Sequence, residues 1–188
     1  MARGVEPAGQ GSAFENIALA HREIYALYEI AQSMGTSLGI ADTMALISSK
    51  LTKIIPWSSC SLFVHQPDAL SLTCRFSTGV DAAMLRNAVL KIGSGLADAV
   101  ARDRRMLVNV DPQSILETAG VPGESELRSA ILCPLYSDDI FIGCLALSHV
   151  EPRRYTEDHR RLLERDAEQA GAVIHNSMVF ERTQEESL

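Results

Sequence analysis

The sequence predicts an α+β fold: one antiparallel sheet of five or six strands, helices from both ends of the chain on one face, and loops over the other. Three observations carry this expectation. Leu127 to Ser177 reads as an apolar strand, a polar turn, a second apolar strand and a long helix with a polar face. Within the first of those strands Ile131, Cys133 and Leu135 alternate with Ala130, Leu132 and Tyr136, so neither face of the sheet is polar enough to be left in water. Segments of helical period stand near both ends of the chain.

Residues 1–13 read as a flexible leader, because MARGVEPAGQGSAFEN lacks the apolar core of a signal segment. The first helix is expected from about Phe14 to Ser37. Its apolar positions Ile17, Ala20, Ile24, Leu27, Ala31, Met34 and Leu38 alternate steps of three and four, the pattern of a helix seam. Such a stripe pairs with a second helix or packs on its own domain, and 3.5 and 3.6 periods barely diverge over this length. A second helix follows Gly39, with Asp42 as its cap, Leu46, Ile47, Leu51, Ile54 and Ile55 as its buried stripe, and Pro56 beyond its end.

Cys60 to His65 and Leu70 to Ser77 form a hairpin around Gln66-Pro67-Asp68. A loop or short helix spans Gly79 to Asn87, a short strand runs near Ala88 to Ile92, and Leu96 to Arg102 supplies one or two helical turns before a strand from Met106 to Val110. Asp111 to Glu126, with Pro112, Gly120, Pro122 and Gly123, reads as a long irregular connection of the kind that forms a lid or ligand wall. Ser129 to Leu135 and Ile140 to Leu147 make the second hairpin, turned by Ser137-Asp138-Asp139. The last helix begins after Pro152, with Thr156 as cap and Glu157 and Asp158 where the helix dipole favours negative charge. It carries two apolar tracks, one of Leu163, Ala167, Ala170 and Ile174, the other of Leu162, Val173 and Phe180. One track fits the sheet; the other fits a second helix, so a bundle of first and last helices shared between two subunits is expected. Its interface would use Ile17, Ile24, Leu27, Ala31, Met34, Val173 and Phe180. The domain thus runs over residues 14–180, and residues 181–188 form a polar helical tail suited to lead into another module.

The chain has 188 residues, enough for one domain with a sizeable core, and 46% of them are apolar. Seventeen Lys and Arg against 24 Asp and Glu give a net charge of −7. A nucleic-acid binder needs a concentrated basic field, so nucleic acid is not expected as a partner. No apolar run reaches the roughly 20 residues that span a bilayer, so no membrane is expected either, and a cytoplasmic site of action follows. Cys60, Cys74, Cys133 and Cys144 lie in strands among apolar neighbours with no C-x-x-C pair, which reads as buried free thiols in a reducing compartment.

Chemistry is sparse. Gly93-Ser94-Gly95 between a strand and a helix is a candidate anion site through its backbone N–H groups, or simply a turn that needs small residues. No G-x-S-x-G element and no cysteine paired with a base appears, and Asp138-Asp139 sits in a turn open to water. Enzymatic activity is not expected.

The ordered series Arg128-Ser129, Cys133-Pro134-Leu135, Ile142-Gly143-Cys144-Leu145 and Tyr155-Thr156-Glu157-Asp158, followed by Leu162-Leu163, resembles the end of a GAF domain. Weaker similarity runs upstream through Gly93-Ser94-Gly95-Leu96, Val100 and Asn109-Val110-Asp111, and the whole covers about Ala18 to Ser177. The resemblance implies the GAF/PAS-like (profilin-like) sheet and a sensory or regulatory role. Among GAF domains some bind cyclic nucleotides, bilins or haem, some reduce free methionine sulfoxide, and many have no known ligand. The Asn-Lys-Phe-Asp-Glu signature of the cyclic-nucleotide type is absent, neither Gly79–Asn87 nor Asp111–Glu126 holds the Cys or His of bilin attachment, and these cysteines sit in strands rather than in the loops the reductases use. No cofactor is thereby identified.

In the sheet the family implies, the first and last strands are antiparallel neighbours, so His65 and His149 lie at opposite edges and do not share a metal. A ligand between sheet and lid would face Phe63, Leu96, Val100, Asn109, Asp111, Arg128 and Ser129; Arg128 alternatively pairs with Glu124 or Glu126. The function expected is a sensory module that binds a small molecule, or a dimerisation and relay module, acting on a kinase, cyclase or transcriptional output domain. A ligand-free dimerisation module, a haem, bilin or redox sensor, and a sulfoxide reductase are the alternatives.

Overall fold

The computed structural model describes residues 38–93 and 95–187. Within them β1 (Ser59–Gln66), β2 (Ser71–Gly79), β3 (Val89–Lys91), β4 (Leu107–Val110), β5 (Ser129–Ser137) and β6 (Ile140–His149) form one sheet in the order β3-β2-β1-β6-β5-β4. Every neighbouring pair is antiparallel. The helices are α1 (Ile40–Leu51), α2 (Ala82–Leu85), α3 (Gly95–Ala101), α4 (Pro112–Thr118) and α5 (Glu157–Glu186). The first expected helix, the leader and Ser94 lie outside the described residues, and with them Ile17, Ile24, Leu27, Ala31 and Met34 of the expected interface.

The two hairpins turn where their sequences require it. Asp138 and Asp139 both have positive φ, 49° and 64°, the two-residue geometry whose twist matches that of the flanking strands, and Asp tolerates the left-handed region better than most residues. The β1–β2 turn is a short 3₁₀ segment, Pro67–Ala69, closed by Leu70 at φ 47°.

The sheet is buried on both faces, as the alternation predicts. Cys60, Leu62 and Val64 of β1, Ile131, Cys133 and Leu135 of β5, and Leu145 and Leu147 of β6 meet α1 and α5 in one core. Phe63, Leu132, Cys144 and Ala146 point the other way and meet Leu72, Leu90, Val100 and Ile115 in a second. Each fully buried Leu or Ile stabilises by roughly 2 kcal/mol over its exposed state. Within β5 the alternation breaks at its end: a bulge between Leu135 and Tyr136 shifts the register, and Tyr136 lines a groove beside Cys133 and Ala167 on the helix face.

Helix α1 corrects an expectation. Its N-cap is Gly39, without a side-chain cap, and Asp42 lies inside the first turn. The cap comes from 141 residues away, where the Glu181 carboxylate of α5 accepts the Ile40 N–H at 2.8 Å. Negative charge at a helix N-terminus suits the dipole. The other Glu181 oxygen takes Arg75 of β2 at 2.8 Å. That pair is partly exposed and worth about 1 kcal/mol or less, but together the two bonds fix the far end of α5 against helix and sheet. A buried bond of 2.6 Å between Thr43 and Ser177 hydroxyls joins α1 to α5 further along.

Helix α5 starts as its sequence says. Thr156 Oγ1 accepts the His159 N–H at 3.2 Å, and His159 Nδ1 accepts the Thr156 N–H at 3.0 Å, a reciprocal cap. Leu163, Ala167, Ala170 and Ile174 bury as expected; Leu162, assigned to the second track, packs against the same core. Val173 is buried and Phe180 half-buried. Gly171 sets how close the helix comes. A Cβ there would stand 2.2 Å from the Tyr136 carbonyl oxygen and 3.1 Å from its carbon, so only glycine lets α5 lie on the β5 backbone.

Gly171→Ala should therefore destabilise the domain. Alanine gains up to about 1 kcal/mol in helix propensity, but the clash is with backbone and overpacking of this kind costs about 1–3 kcal/mol or more. A net loss of about 2 kcal/mol in urea unfolding is expected; an unchanged or raised midpoint would show that α5 does not rest on Tyr136.

The reciprocal cap also predicts a pH dependence. His159 must be neutral to accept at Nδ1, and burial first, then the Arg154 charge, hold its pKa below the ordinary 6.5, with Asp158 opposing. The Tyr155 ring packs edge-on, 6.0 Å away. Because the folded value is the lower one, the unfolded chain takes up the proton first. The stabilisation is complete above about pH 6.5 and is lost as pH falls through that value toward the folded one. His159→Gln retains an acceptor without the titration, so its melting midpoint should fall less than that of the parent between about pH 7 and 5; equal slopes would contradict this role.

Candidate functional site

The lid face is the expected ligand site, and it is closed. Phe63, Leu72, Leu90, Val100, Ile115 and Leu132 converge there around a residual cavity of about 10 Å³. Ligand sites are of order 300–1,000 Å³, and about 10–15 Å³ is what one water needs. Leu96, another of the expected site residues, also lines this space.

The cover is fastened by polar bonds from the segment expected to be irregular. That segment contains α4, with Pro112 at its first position and Asp111 as N-cap, Oδ1 accepting the Gln113 N–H at 3.0 Å. Gln113 then ties the following loop, donating to the Gly123 carbonyl at 3.0 Å and accepting the Ser125 N–H at 2.8 Å. Asp81 Oδ2 accepts the Ser125 hydroxyl at 2.7 Å and the Glu126 N–H at 3.0 Å. Leu85, Leu116 and Leu127 pack beneath in a small core of their own.

Of the seven expected ligand residues, Phe63, Leu96 and Val100 meet at this filled cavity, and four are engaged elsewhere. Asp111 caps α4. Arg128 Nη1 donates to the Ser125 and Leu127 carbonyls, at 2.6 and 3.0 Å, and makes no ion pair with Glu124 or Glu126 among the described residues. Asn109 occupies a bulge of β4 at φ 57°; its amide donates to the Tyr155 carbonyl at 2.8 Å and accepts the Tyr155 N–H at 3.0 Å. Ser129 donates to the Glu151 carbonyl at 2.7 Å and accepts the Arg154 N–H at 3.3 Å. Asn109 and Ser129 thus hold the connection from β6 into α5. They position a helix.

The histidines at strand ends stand apart. Ser59 pairs with Ser148 and Val64 with Gly143 across β1 and β6, so His65 and His149 lie at opposite ends. His65 packs on Phe141 at 5.2 Å, and His149 Nδ1 accepts the Glu151 N–H at 3.0 Å. Among the described residues no group of three His, Cys, Asp or Glu side chains could hold a metal. At the Gly-Ser-Gly turn, Gly95 has φ +66° with open space around it, a conformation that favours glycine. No helix among the described residues is long and apolar enough to cross a membrane.

All four cysteines are buried free thiols. Burial pushes Cys60 and Cys144 up to about 12 and Cys133 well above the usual thiol range. Cys74 rises to about 11, burial prevailing over the Phe76 carbonyl contact and the Arg86 charge. A nucleophilic thiol needs the opposite shift.

A much wider opening lies on the other side of the sheet. A groove of about 580 Å³ runs between α5, the segment leading into β4, and β5 with its turn; Met106, Cys133, Pro134 and Ala167 line it. Arg104, at the rim, bonds Asp139 at 2.7 Å and lies over the Tyr136 ring, 4.7 Å from its centroid. The sequence gives little sign of this groove, because its walls are contributed by the segment before β4, by β5 and its turn, and by α5, separated widely along the chain.

Comparison with known proteins agrees with this architecture. A family model described as GAF domain matches residues 37–175. No curated protein sequence matches the chain. Among solved structures it is similar to the GAF domain of an Acinetobacter phosphoenolpyruvate-protein phosphotransferase, with 16% identity, TM-score 0.66, and 88% of this chain and 94% of that one covered. It is also similar to free methionine-R-sulfoxide reductase from Neisseria meningitidis, solved with its substrate, with 15% identity, TM-score 0.61 and coverage of 94% and 97%. A putative GAF sensor protein from Burkholderia vietnamiensis gives 15% identity, TM-score 0.62 and coverage of 97% and 99%. At these identities the likeness concerns the fold.

The thiols give a direct test. A thiol reagent such as DTNB should label none of the four cysteines of the native protein within minutes and all four in denaturant; fast labelling of any one in the native state would mean that a thiol is open to chemistry.

Proposed function

The chain belongs to the GAF domain family, and from that premise we propose that it is a regulatory module that relays a signal through α5, with its lid face filled by its own side chains. The observation that carries this reading is the residual lid cavity of about 10 Å³, too small for a ligand. What remains is the coupling between sheet and helix. Asn109 and Ser129 hold the start of α5, Gly171 its middle and Glu181 its end, so a displacement of the sheet is passed to a 30-residue helix whose last turns are exposed. An output domain, whether kinase, cyclase or transcriptional, would read that displacement.

In this reading the module is not an enzyme. One of the proteins it resembles reduces free methionine sulfoxide, but the four thiols here are buried and held protonated, which favours a packing role. Reduced thiols also suit a cytoplasmic location. The module acts as a homodimer, its seam formed by the first helix together with Val173 and Phe180 of α5.

Light scattering tests the relay and its dimer. Replacing Ile24 and Leu27 by Glu should move the mass toward the monomer and leave the far-ultraviolet dichroism of the sheet unchanged. A parent protein that is already monomeric, or a mass indifferent to the substitution, would overturn the shared bundle.

A further inference from the structure

We propose that the groove between α5, β5 and the segment leading into β4 is a ligand site, and that it takes a small zwitterion of amino-acid or dipeptide type. The proposal rests on the reading of the chain as a regulatory module and names where its signal enters. The lid cavity is closed, whereas this groove of about 580 Å³ falls within the range of small-molecule sites.

Its charges determine the class of ligand. Arg104 is satisfied by Asp139 and by the Tyr136 ring, and Arg160 by Glu157 and Glu164, the latter at 2.9 Å. Three charged groups on the same groove, Arg105, Asp138 and Glu168, have no ion pair among the described residues. One is a cation and two are anions. A free carboxylate matches Arg105, and a free ammonium matches Asp138 or Glu168. The floor of Met106, Pro134 and Ala167 supplies apolar contact for a side chain between them. Polyanions are disfavoured, because the four carboxylates lining the groove outnumber its three guanidinium groups.

Occupancy there would bear on α5 directly. Ala167 and Glu168 belong to the helix, Met106 leads into the edge strand and Pro134 lies in β5, so a bound molecule bridges the two layers whose relation the relay depends on. Gly171 meets Tyr136 within one turn of that point. A ligand wedged beside such a close contact shifts the helix or locks it.

The test is a titration of the full isotope-labelled chain, followed by amide NMR, with L-amino acids and dipeptides added singly at millimolar concentration. Phenethylamine and hydrocinnamate, each carrying one of the two charges, and AMP, a polyanion, serve as controls. Saturable shifts at Met106, Cys133, Tyr136 and Ala167 are expected from at least one zwitterion, with weaker binding of both single-charge controls and none of AMP. Arg105→Glu should weaken that binding by about fivefold to tenfold while leaving remote amides in place, and Glu168→Lys should do likewise for the ammonium end. The proposal is overturned if no zwitterion shifts these amides, if AMP binds better, or if both variants bind as the parent does. A monomeric parent in light scattering would instead strike at the relay reading and leave these shifts unaffected.

Discussion

A single pleated layer with apolar side chains on both faces has to be covered twice, and the rest of the structure follows from how the two covers are made. On one face the cover is a pair of helices, of which α5 lies at backbone distance from the sheet through Gly171. On the other it is a set of short helices and loops whose Leu96, Ala97, Val100 and Ile115 meet Phe63, Leu72, Leu90 and Leu132 of the sheet and fill the space between. Both covers are needed before β1, β5 and β6 can exist, because strands this apolar have no solvent-facing side to spare.

The covers differ in kind. The lid is sealed by apolar packing and pinned by Gln113 and Asp81 to backbone groups and the Ser125 hydroxyl of its own loop, so opening it exposes a hydrophobic core and breaks several bonds together. The helix face holds the larger apolar core, where α1 and α5 pack on β1, β5 and β6, and adds polar bonds at Asn109, Ser129, Thr43 and Glu181 and a close backbone approach at Gly171, with a groove left at one edge.

Much of this was legible in the sequence because it is governed by local chemistry. Strand alternation, a chain reversal at Ser137-Asp138-Asp139 and Thr156 before an acidic first turn each act within a few residues; the reversal formed at Asp138-Asp139, with Ser137 still in β5, and the alternation holds up to the bulge at Tyr136. Helix α4 was signalled too, by Asp111 as cap and Pro112 at the first position, but Gly120, Pro122 and Gly123 obscured it. Asn109 and Ser129 were singled out as ligand-facing residues; that their partners are backbone groups of the connection into α5 depends on which chain segment passes over them. Glu181 as the cap of α1 and Gly171 against Tyr136 join residues far apart in sequence, and no local pattern encodes such meetings.

The central claim is that the protein's own side chains occupy the lid face. Diffraction from a crystal of the full chain pressurised with xenon, which enters apolar cavities of sufficient size, tests it most directly. The account predicts no xenon density among Phe63, Val100 and Ile115. A well-occupied xenon atom there would reveal an open pocket beneath the lid and contradict it.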